Sequence, residues 1–385
     1  MSNLLIEPVN MIVLTGGPCS GKSSSLAYLT EKLSDHGFMV FVIPETATLI
    51  TNNGIDRRKM DKRKQVVMFE ETIFDMQLAF EETYKKAVTR IFPERKKVIL
   101  LDRGIMDVKA FITHDDFKAI LKKKGLNEVS LRDRYNGVIH LVTAADGAME
   151  FYNGDNNTAR LETPEEALCF DHGIRESWLG HPHFKIIDNR TDFEGKIKRT
   201  FAAISQFLNI PVPLERKGKF LVKAVDYSKL PVHQTIEVTE IYLRPKNRNE
   251  EIRIRKRGQE GAYLYFLTRK KAIKSHDNYI EEEELITEQE FHTLKNLIDP
   301  KTVVIEKEHI CFLWNNQYFE LDRYRGTNEG FVVLEVEQFE AYDEKGRILI
   351  PPFILIEKKI TGDLQYSTRN MAAKHRKKKD NLKPL

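Results

Sequence analysis

An eight-residue glycine-rich motif near the N-terminus limits what this chain can fold into. Residues 16–23 read GGPCSGKS and match G-x-x-x-x-G-K-[ST], a pattern in which backbone amides and one lysine surround phosphate oxygens. The motif follows an apolar run of strand length at 11–15 and precedes residues 24–36, which have the spacing of an amphipathic helix. A strand, this loop and a helix, in that order, predict a phosphate-binding loop (P-loop) at the edge of a parallel sheet.

Each residue type in this loop has a physical role in holding phosphates. The glycines allow backbone N–H groups to turn inward, and the helix N-terminus adds a dipole that favours anions. Lys22 is predicted to neutralise the terminal phosphates, and the Ser23 hydroxyl to ligate Mg²⁺. The residues predicted to contact the nucleotide are Gly16, Gly17, Gly21, Lys22, Ser23 and Ser24. The sequence has no base-recognition signature such as NKxD, so GTP and ATP are both candidate ligands.

The other apolar runs of the N-terminal half predict the fold class. Runs at 38–43, 98–101 and 138–143 lack the alternation of a half-exposed strand, and helical segments such as 63–92 separate them. Continuous apolar strands that alternate with helices are typical of a mostly parallel sheet with helices on both faces. We therefore predict an α/β P-loop domain over residues 1–210.

Two carboxylates and an arginine lie where strands of such a sheet end. Asp102 follows the run 98–101, the usual position of a carboxylate that holds Mg²⁺, and Arg103 beside it is within reach of a phosphate. Glu45 follows the run 38–43 at the same edge, where ligands bind in open parallel sheets. We predict Glu45 and Asp102 as catalytic residues, with Glu45 acting as a base or binding a substrate hydroxyl. The alternatives are an Asp that caps a turn and a solvated loop Glu.

The pattern changes after residues 209–219, which hold two prolines, one glycine and three cations. Downstream, the dominant hydrophobic period becomes two, in short runs from 220–225 to 331–338 that turn signals separate. Many short alternating strands with one helical segment predict an α+β domain built on an antiparallel sheet or barrel, over residues 213–370. The length of 385 residues leaves room for two domains, and 41% hydrophobic residues argue against wholesale disorder.

Charged residues occupy alternate positions in several of these strands. Arg253, Arg255 and Arg257 share one face of their strand, and carboxylates such as Glu320 and Asp322 repeat the pattern. In a single strand, a sheet with one wet face gives the same pattern. For four or five strands that carry both signs, we predict a tunnel whose cations bind a polyanion. The predicted polyanion-binding residues are Lys219, Arg253, Arg255, Arg257, Lys270 and Lys307.

The first half resembles P-loop domains related to nucleoside and nicotinamide riboside kinases. The resemblance rests on GGPCSGKS, IPETA, LLDRGIMD, HLVTAADGA, NNTARLETPEEA and HPHFKIIDN, within residues 10–210. It implies that Glu45, Asp102 and Arg103 lie at the phosphate-acceptor site. It also implies that Arg160 closes over the phosphates as part of a lid.

The second half resembles the CYTH superfamily, the tunnel fold of thiamine triphosphatase and tripolyphosphatases. The matching segments are KFLV at 219–222, IRIR at 252–255, TRK at 268–270, LDRY at 321–324 and LEVE at 334–337. Active members carry E-x-E-x-K at the start, whereas this chain reads ERKGK at 215–219, with Lys217 at the middle acidic position. A cation there opposes metal binding, so the resemblance implies a degenerate site that retains anion binding.

A kinase-like P-loop domain followed by a degenerate CYTH domain is similar to the family of TRPL translocation defect protein 14. That resemblance implies a guanine-nucleotide-binding protein that binds phosphoinositides and takes part in vesicle transport. The predicted function is a nucleotide-binding regulator of membrane trafficking, with at most a slow NTPase or kinase-like phosphotransferase activity. The alternatives are a nucleoside-type kinase with a CYTH sensor domain and, ranked last, a CYTH triphosphatase.

The C-terminal end is strongly basic, although the whole chain has a formal charge of only +4. Residues 374–385 hold six Lys or Arg and one Asp, and we predict a disordered tail over 371–385 that could contact an anionic membrane. A nuclear-import signal or a plain solubilising end fits the same pattern. Because the rest of the chain is close to neutral, nucleic acid is not an expected partner. Three cysteines without a pairing pattern favour a cytoplasmic location.

Overall fold

The computed structural model describes residues 7–149, 152, 163–208, 210, 217–245, 250–272, 279–315, 317–337 and 349–374. Contacts divide the chain into two compact units, Met1–Val212 and Pro213–Leu385. Arg160 and most of the predicted tail at 371–385 lie outside the described residues. Within the described ranges, no helix has the length and apolar character needed to cross a bilayer.

The first unit is built on a five-stranded parallel sheet. Its strands are β1 (Val9–Thr15), β2 (Met39–Ile43), β3 (Lys97–Asp102), β4 (Gly137–Leu141) and β5 (Phe184–Ile187). Their order is β2-β3-β1-β4-β5, so the strand that leads into the P-loop is central and β3 is hydrogen-bonded directly to it. The α/β class predicted for this half is confirmed.

Helices cover both faces of this sheet. They are α1 (Lys22–Asp35), α2 (Thr46–Asn52), α3 (Arg63–Ile91), α4 (His114–Lys124), α5 (Glu128–Arg132), α6 (Pro164–Ser177) and α7 (Phe193–Phe207). Ile12 and Leu14 of β1 pack in one core with Leu29 of α1 and Ile204 of α7. Val13, between them in sequence, is equally buried on the opposite face. Burial on both faces explains why β1 is a continuous apolar run, since each such side chain stabilises the fold by roughly 1.5–3 kcal/mol.

The second unit is built on a nine-stranded antiparallel sheet. Its elements are β6 (Lys217–Val225), β7 (His233–Leu243), β8 (Glu250–Gln259), β9 (Ala262–Ala272), β10 (Tyr279–Ile286), α8 (Glu288–Lys295), β11 (Ile305–Trp314), β12 (Gln317–Arg325), β13 (Val332–Glu337), β14 (Ile354–Lys359) and α9 (Thr368–Met371). The strand order is β10-β9-β8-β7-β11-β12-β13-β6-β14. The antiparallel α+β class predicted for this half is confirmed.

Some strand boundaries differ from the prediction. The strand β11 runs without a break over ten residues, Ile305–Trp314, within the stretch 220–338 where short separate runs were predicted. His309 continues the alternation, because it pairs with Asp322 while its neighbour Ile310 faces an apolar core. The strand β14 was not predicted, since so short a run gives a weak period-two signal.

Candidate nucleotide and polyanion sites

The P-loop of the first unit connects β1 to α1 with the backbone geometry that its glycines permit. Gly16 and Gly21 have φ values of +142° and +88°, which residues with a Cβ rarely adopt. A Cβ at Gly16 would collide with the carbonyl oxygen of Leu141, and one at Gly21 would lie 2.6 Å from the Phe193 ring. The loop therefore requires glycine at both positions, for close packing as well as for backbone conformation.

Lys22 closes the loop on itself. Its Nζ donates to the carbonyl oxygens of Gly16 at 3.0 Å and Gly17 at 3.1 Å, and to Ser20 Oγ at 3.2 Å. Burial, together with the nearby Arg103 guanidinium, lowers the pKa of Lys22 to about 8. Ser23 lies beside it in the exposed first turn of α1. Among the residues that the structure describes, the ammonium thus donates only to neutral acceptors, which an anionic phosphate would outcompete.

Glu45 and Arg103 form an ion pair next to this lysine. Arg103 Nε donates to Glu45 Oε1, and the Thr48 hydroxyl donates to Glu45 Oε2 at 2.6 Å. Burial alone would raise the pKa of Glu45, but the charges of Arg103 and Lys22 lower it to about 2. Glu45 is therefore an ionised group that orients Arg103, and it is a weak base at neutral pH.

Asp102 ends β3 directly beside the P-loop strand, since its strand register pairs it with Leu14. Its Oδ1 is buried and makes no hydrogen bond within the described part of the chain. Burial raises the pKa of Asp102, whereas the nearby Lys22 charge lowers it. An orphaned carboxylate oxygen at the end of β3 and a hydroxyl at the start of α1 are both hard oxygen donors of the kind that Mg²⁺ prefers. Asp102 and Ser23 are therefore the residues that could hold this ion.

Two further acidic residues at this edge were missed in the sequence. Asp107 accepts hydrogen bonds from Thr15 Oγ1 and from Trp178 Nε1, each at 2.6 Å, and lies 3.4 Å from an Arg103 nitrogen. Glu70 of α3 is buried, with Arg57 Nε 4.0 Å from its carboxylate. Burial raises the pKa of Glu70 to about 7. Helical spacing alone could have placed Glu70 on the inner face of α3, but the neighbouring arginine comes from another segment.

The structure thus brings together four residues predicted from separate parts of the sequence, namely Lys22, Glu45, Asp102 and Arg103. Each of them influences the pKa of at least one of the others. Gly16, Gly17, Gly21, Ser23 and Ser24 lie in the loop or in the first turn that follows it. The predicted lid residue Arg160 lies outside the described residues.

Replacing Glu70 with glutamine is expected to stabilise the first unit at alkaline pH. The folded-state pKa of about 7 exceeds that of an unfolded glutamate, about 4.3, so wild-type stability falls as pH rises between these values. The variant is expected to be more stable by about 3–4 kcal/mol above pH 8 and unchanged below pH 4. Urea unfolding at a series of pH values measures this difference.

Glu71→Gln is the matched control for this measurement. Glu71 is the next residue of α3, and hydrogen bonding to Lys123 lowers its pKa. Its contribution to stability is present at neutral pH and lost in acid, so its removal gives a small change of opposite sign. Equal pH profiles for the two variants would show that Glu70 is not a strained buried acid.

One face of the second-unit sheet carries most of its predicted cations. The strand register places Arg255 opposite Glu240, Arg253 opposite Thr268, and Glu335 opposite Lys219. We call this face the charged face and define it by Lys219, Glu240, Arg253, Arg255, Arg257, Glu283, Lys307, His309, Glu320, Asp322 and Glu335. The opposite face carries apolar cores, in which Ile254 and Leu267 pack against Phe291 of α8.

Cations and carboxylates pair across the charged face. Lys219 Nζ lies 2.6 Å from Glu335, Arg253 3.2 Å from Glu240, and Arg255 2.9 Å from both oxygens of Glu283. Arg257 is almost fully buried. Lys270 of β9 lies in register with Glu281 of β10. Each described carboxylate in these pairs is already neutralised by a cation of the protein.

Lys307, His309 and Asp322 form the centre of the charged face. Lys307 Nζ and His309 Nδ1 each lie 2.6 Å from a different oxygen of Asp322. Burial lowers the pKa of Lys307, but Asp322, Tyr324 and Glu240 together raise it well above its ordinary value. The opposing charges also hold the pKa of Asp322 well below its ordinary value. The sequence did not identify His309 as a member of this cluster, since an isolated histidine gives no signal of its own.

Comparison with known families gives one match, in the first unit. Residues 11–196 match the family described as AAA domain. The first unit is thus similar to an AAA-type P-loop domain, a class that indicates nucleotide binding. A comparison with curated proteins gives no significant match.

Several solved structures are similar to parts of this chain. One is described as the inorganic triphosphatase NE1496, with 23% identity, a TM-score of 0.32, and coverage of 42% of this chain and 95% of that one. Another structure of NE1496, described as a hypothetical protein, has 24% identity, a TM-score of 0.33, and coverage of 41% and 97%. The PH1819 protein from Pyrococcus horikoshii OT3 has 21% identity, a TM-score of 0.25, and coverage of 32% and 77%.

Proposed function

We propose that the first unit binds a nucleoside triphosphate with Mg²⁺, GTP or ATP, and acts on its terminal phosphate. The observation that carries this proposal is the convergence of Lys22, Glu45, Asp102 and Arg103 at one edge of the sheet. A structural P-loop would need neither an orphaned carboxylate oxygen nor a second cation beside the lysine.

Each group has a role that its contacts support. Lys22 exchanges its carbonyl acceptors for phosphate oxygens, which carry more negative charge. Glu45 and Asp107 hold Arg103 from two sides, so that its remaining N–H groups can contact the phosphate being transferred. Asp102 and Ser23 would hold Mg²⁺, which supplies electrostatic stabilisation of charge on the phosphate oxygens.

We further propose that the second unit binds a polyanion on its charged face. The ligand phosphates would take over cations that are now paired with carboxylates, an exchange of one ion pair for another. A phosphoinositide headgroup and a free inorganic polyphosphate share this chemistry. With a phosphoinositide as ligand, the chain would be a nucleotide-regulated adaptor at membranes in vesicle transport, the role that the family resemblance implies.

Isothermal titration tests the nucleotide proposal. GTP, ATP and their diphosphates would be titrated into the full chain with and without Mg²⁺. We expect binding of at least one triphosphate that strengthens with Mg²⁺. A well-folded protein that gives no heat at millimolar nucleotide would refute the proposal. Turnover of the bound triphosphate without an added acceptor would identify slow NTPase activity.

Arg255→Glu is expected to weaken polyanion binding by roughly 10- to 100-fold. The substitution removes a cation from the charged face and places a second carboxylate next to Glu283, where both repel an anionic ligand. Lys256→Glu is the matched control, since Lys256 is the next residue and points to the opposite face, over the Tyr263 ring. Binding is measured to inorganic triphosphate in solution and to vesicles with and without phosphoinositide. Equal losses in both variants would place binding elsewhere. Loss on vesicles alone would identify the lipid headgroup as the ligand.

A second candidate function, a small-molecule kinase, is favoured by Glu70. Its pKa of about 7 suits a group that exchanges protons at neutral pH, unlike the strongly acidic Glu45. Arg57 and Arg103 both lie within about 6 Å of the Phe111 ring, which offers a cationic and aromatic surface to an acceptor. A panel of nucleosides and vitamins tests this function. Rapid release of ADP or GDP with one acceptor would favour a kinase, and slow acceptor-independent release would favour the adaptor.

A further inference from the structure

A buried aspartate outside the predicted site contacts the P-loop directly. Asp171 lies in the middle of α6 and is fully buried. Its Oδ1 accepts hydrogen bonds from the backbone N–H of Gly17 at 2.9 Å and of Thr143 at 3.1 Å, and lies 3.0 Å from His140 Nε2. Its Oδ2 lies 2.5 Å from Arg175 one helical turn later. One carboxylate thus connects α6, the P-loop and the segment after β4.

The segment after β4 holds the same part of the P-loop. The Thr143 hydroxyl donates to the carbonyl oxygen of Pro18 at 2.5 Å, and the Ala144 N–H donates to the carbonyl oxygen of Cys19 at 3.2 Å. Pro18 has no N–H group, so the Gly17 amide is the last backbone donor before the turn at Cys19. We call residues 17–19 the first limb of the loop. Their backbone is therefore fixed by contacts with residues outside the loop.

The fit between Asp171 and Gly17 leaves no spare room. A Cβ at Gly17 would lie 2.9 Å from the Asp171 Cβ and 3.0 Å from its Oδ1. This close approach explains a glycine at a position whose φ is not in the left-handed region. It also means that a shift of α6 would move the loop backbone, because close-packed contacts transmit displacement.

The carboxylate remains ionised under all ordinary conditions. Burial alone would raise the pKa of Asp171, but His140, Arg175 and the Gly17 amide together hold it far below its usual range. Burial lowers the pKa of His140, so that the imidazole is neutral and donates through Nε2. The negative charge is balanced by Arg175, which also lies 3.8 Å from Asp146. The backbone amides thus face a permanent anion.

We propose that Asp171 is a positioning residue that holds the first limb of the P-loop in its phosphate-accepting conformation and couples that conformation to α6. The effect of Asp171 on function rests on the proposed nucleotide binding. Its effect on the conformation of the loop is a property of the unliganded protein. A preformed loop binds phosphate without the cost of ordering its backbone, so loss of the contact weakens affinity although Asp171 touches no phosphate.

The alternative is that Asp171 only neutralises Arg175. The chain contains a matched case in Asp133, which follows α5; its side chain is also fully buried and lies 2.7 Å from the adjacent Arg132. If charge balance were the whole role, removing either carboxylate would destabilise the unit and leave the P-loop unaffected.

The experiment compares Asp171→Ala, Asp171→Asn and Asp133→Asn in the full chain. Hydrogen exchange of the Gly17 and Thr143 amides is measured by NMR without nucleotide, and triphosphate affinity by titration with Mg²⁺. We expect Asp171→Ala to speed exchange at both amides by at least about tenfold and to weaken affinity by roughly 10- to 100-fold. Asparagine keeps an acceptor oxygen, so Asp171→Asn is expected to restore most of both properties.

Unchanged exchange at Gly17 and Thr143 in a folded Asp171→Ala protein would overturn the proposal. The same holds if Asp133→Asn alters these amides equally, since the effect would then be a general loss of stability. If Asp171→Ala does not fold, the Asn variant decides: its neutral oxygen is a weaker acceptor than the carboxylate, so a small increase in exchange at these two amides must remain and must exceed that in Asp133→Asn. A wild-type protein that binds no nucleotide would refute the proposed function, while the exchange data would still decide the positioning role.

Discussion

Lys22→Ala is expected to abolish nucleotide binding by the first unit, with a loss of at least about 100-fold in affinity. The lysine is the cation of the P-loop, and its present acceptors are two carbonyl oxygens and one hydroxyl of the same loop. Alanine removes the charge and leaves only neutral donors in the loop, namely its backbone amides and serine hydroxyls. Titration with Mg²⁺ and the triphosphate that binds the wild-type protein measures the loss. Polyanion binding by the second unit is expected to be unaffected.

Lys97→Ala is the control for a buried lysine. Lys97 begins β3, the strand that Asp102 ends, and its Nζ likewise donates to backbone carbonyls, those of Phe92 and Pro93. The two ends of a six-residue strand are roughly 16 Å apart, so this variant tests stability without touching the loop. Equal loss of nucleotide affinity in both variants would contradict the specific role of Lys22 in the loop. Loss of polyanion binding in Lys22→Ala would contradict separate sites for the two ligands.

Lys307→Met is expected to destabilise the second unit by about 3–5 kcal/mol. Methionine preserves the volume of the side chain but removes the charge that faces Asp322 at 2.6 Å and Glu240 at 3.8 Å. Two buried carboxylates then lose a common partner, and their desolvation is offset only by Arg253 for Glu240 and by His309 for Asp322. Thermal and urea unfolding of the full chain measure the loss in the transition assigned to the second unit. Polyanion affinity is expected to fall as well.

The pH dependence of the stability loss in Lys307→Met distinguishes the loss of an ion pair from a change in packing alone. The folded-state pKa of Lys307 is raised, so its contribution is present below about pH 10 and lost as pH rises further. The folded-state pKa of Asp322 is lowered, so the contribution of Asp322 to stability is present above about pH 4 and lost in acid. The destabilisation should therefore be constant between these limits.

Lys229→Met, at an exposed pair with Asp226, is the control and is expected to change stability by less than about 0.5 kcal/mol. A loss of similar size in both variants would contradict the role of burial.

The first site was largely predictable from sequence, because its parts are placed by local rules. A P-loop motif fixes the turn between strand and helix, and residues at the ends of parallel strands meet at one edge of the sheet. Applied to the sequence alone, those rules place Lys22, Glu45 and Asp102 near one another. The ion pair between Glu45 and Arg103 did not follow from them, and it makes Glu45 a weak base. Nor did Glu70, whose pKa depends on how deeply α3 is buried.

Asp171 shows the same limit more strongly, since 154 residues separate it from its partner Gly17. Nothing in the local sequence of α6 distinguishes an aspartate that binds the P-loop from one that faces water. In the second unit, period-two alternation predicted which cations share a face, because a strand turns alternate side chains to opposite sides. It could not predict which carboxylate each cation meets, since pairing depends on the register of neighbouring strands.

The sequence by itself determined the fold class of both halves, the conformation of the P-loop and the face to which each charged residue of a strand points. These depend on covalent geometry and on hydrophobic periodicity, which act over a few residues. The tertiary structure alone decided which charges neutralise each other, which carboxylate oxygen remains without a partner and which helix holds the P-loop. These depend on distance and burial, because an ion pair or an orphaned oxygen is defined by what lies within a few ångströms of it.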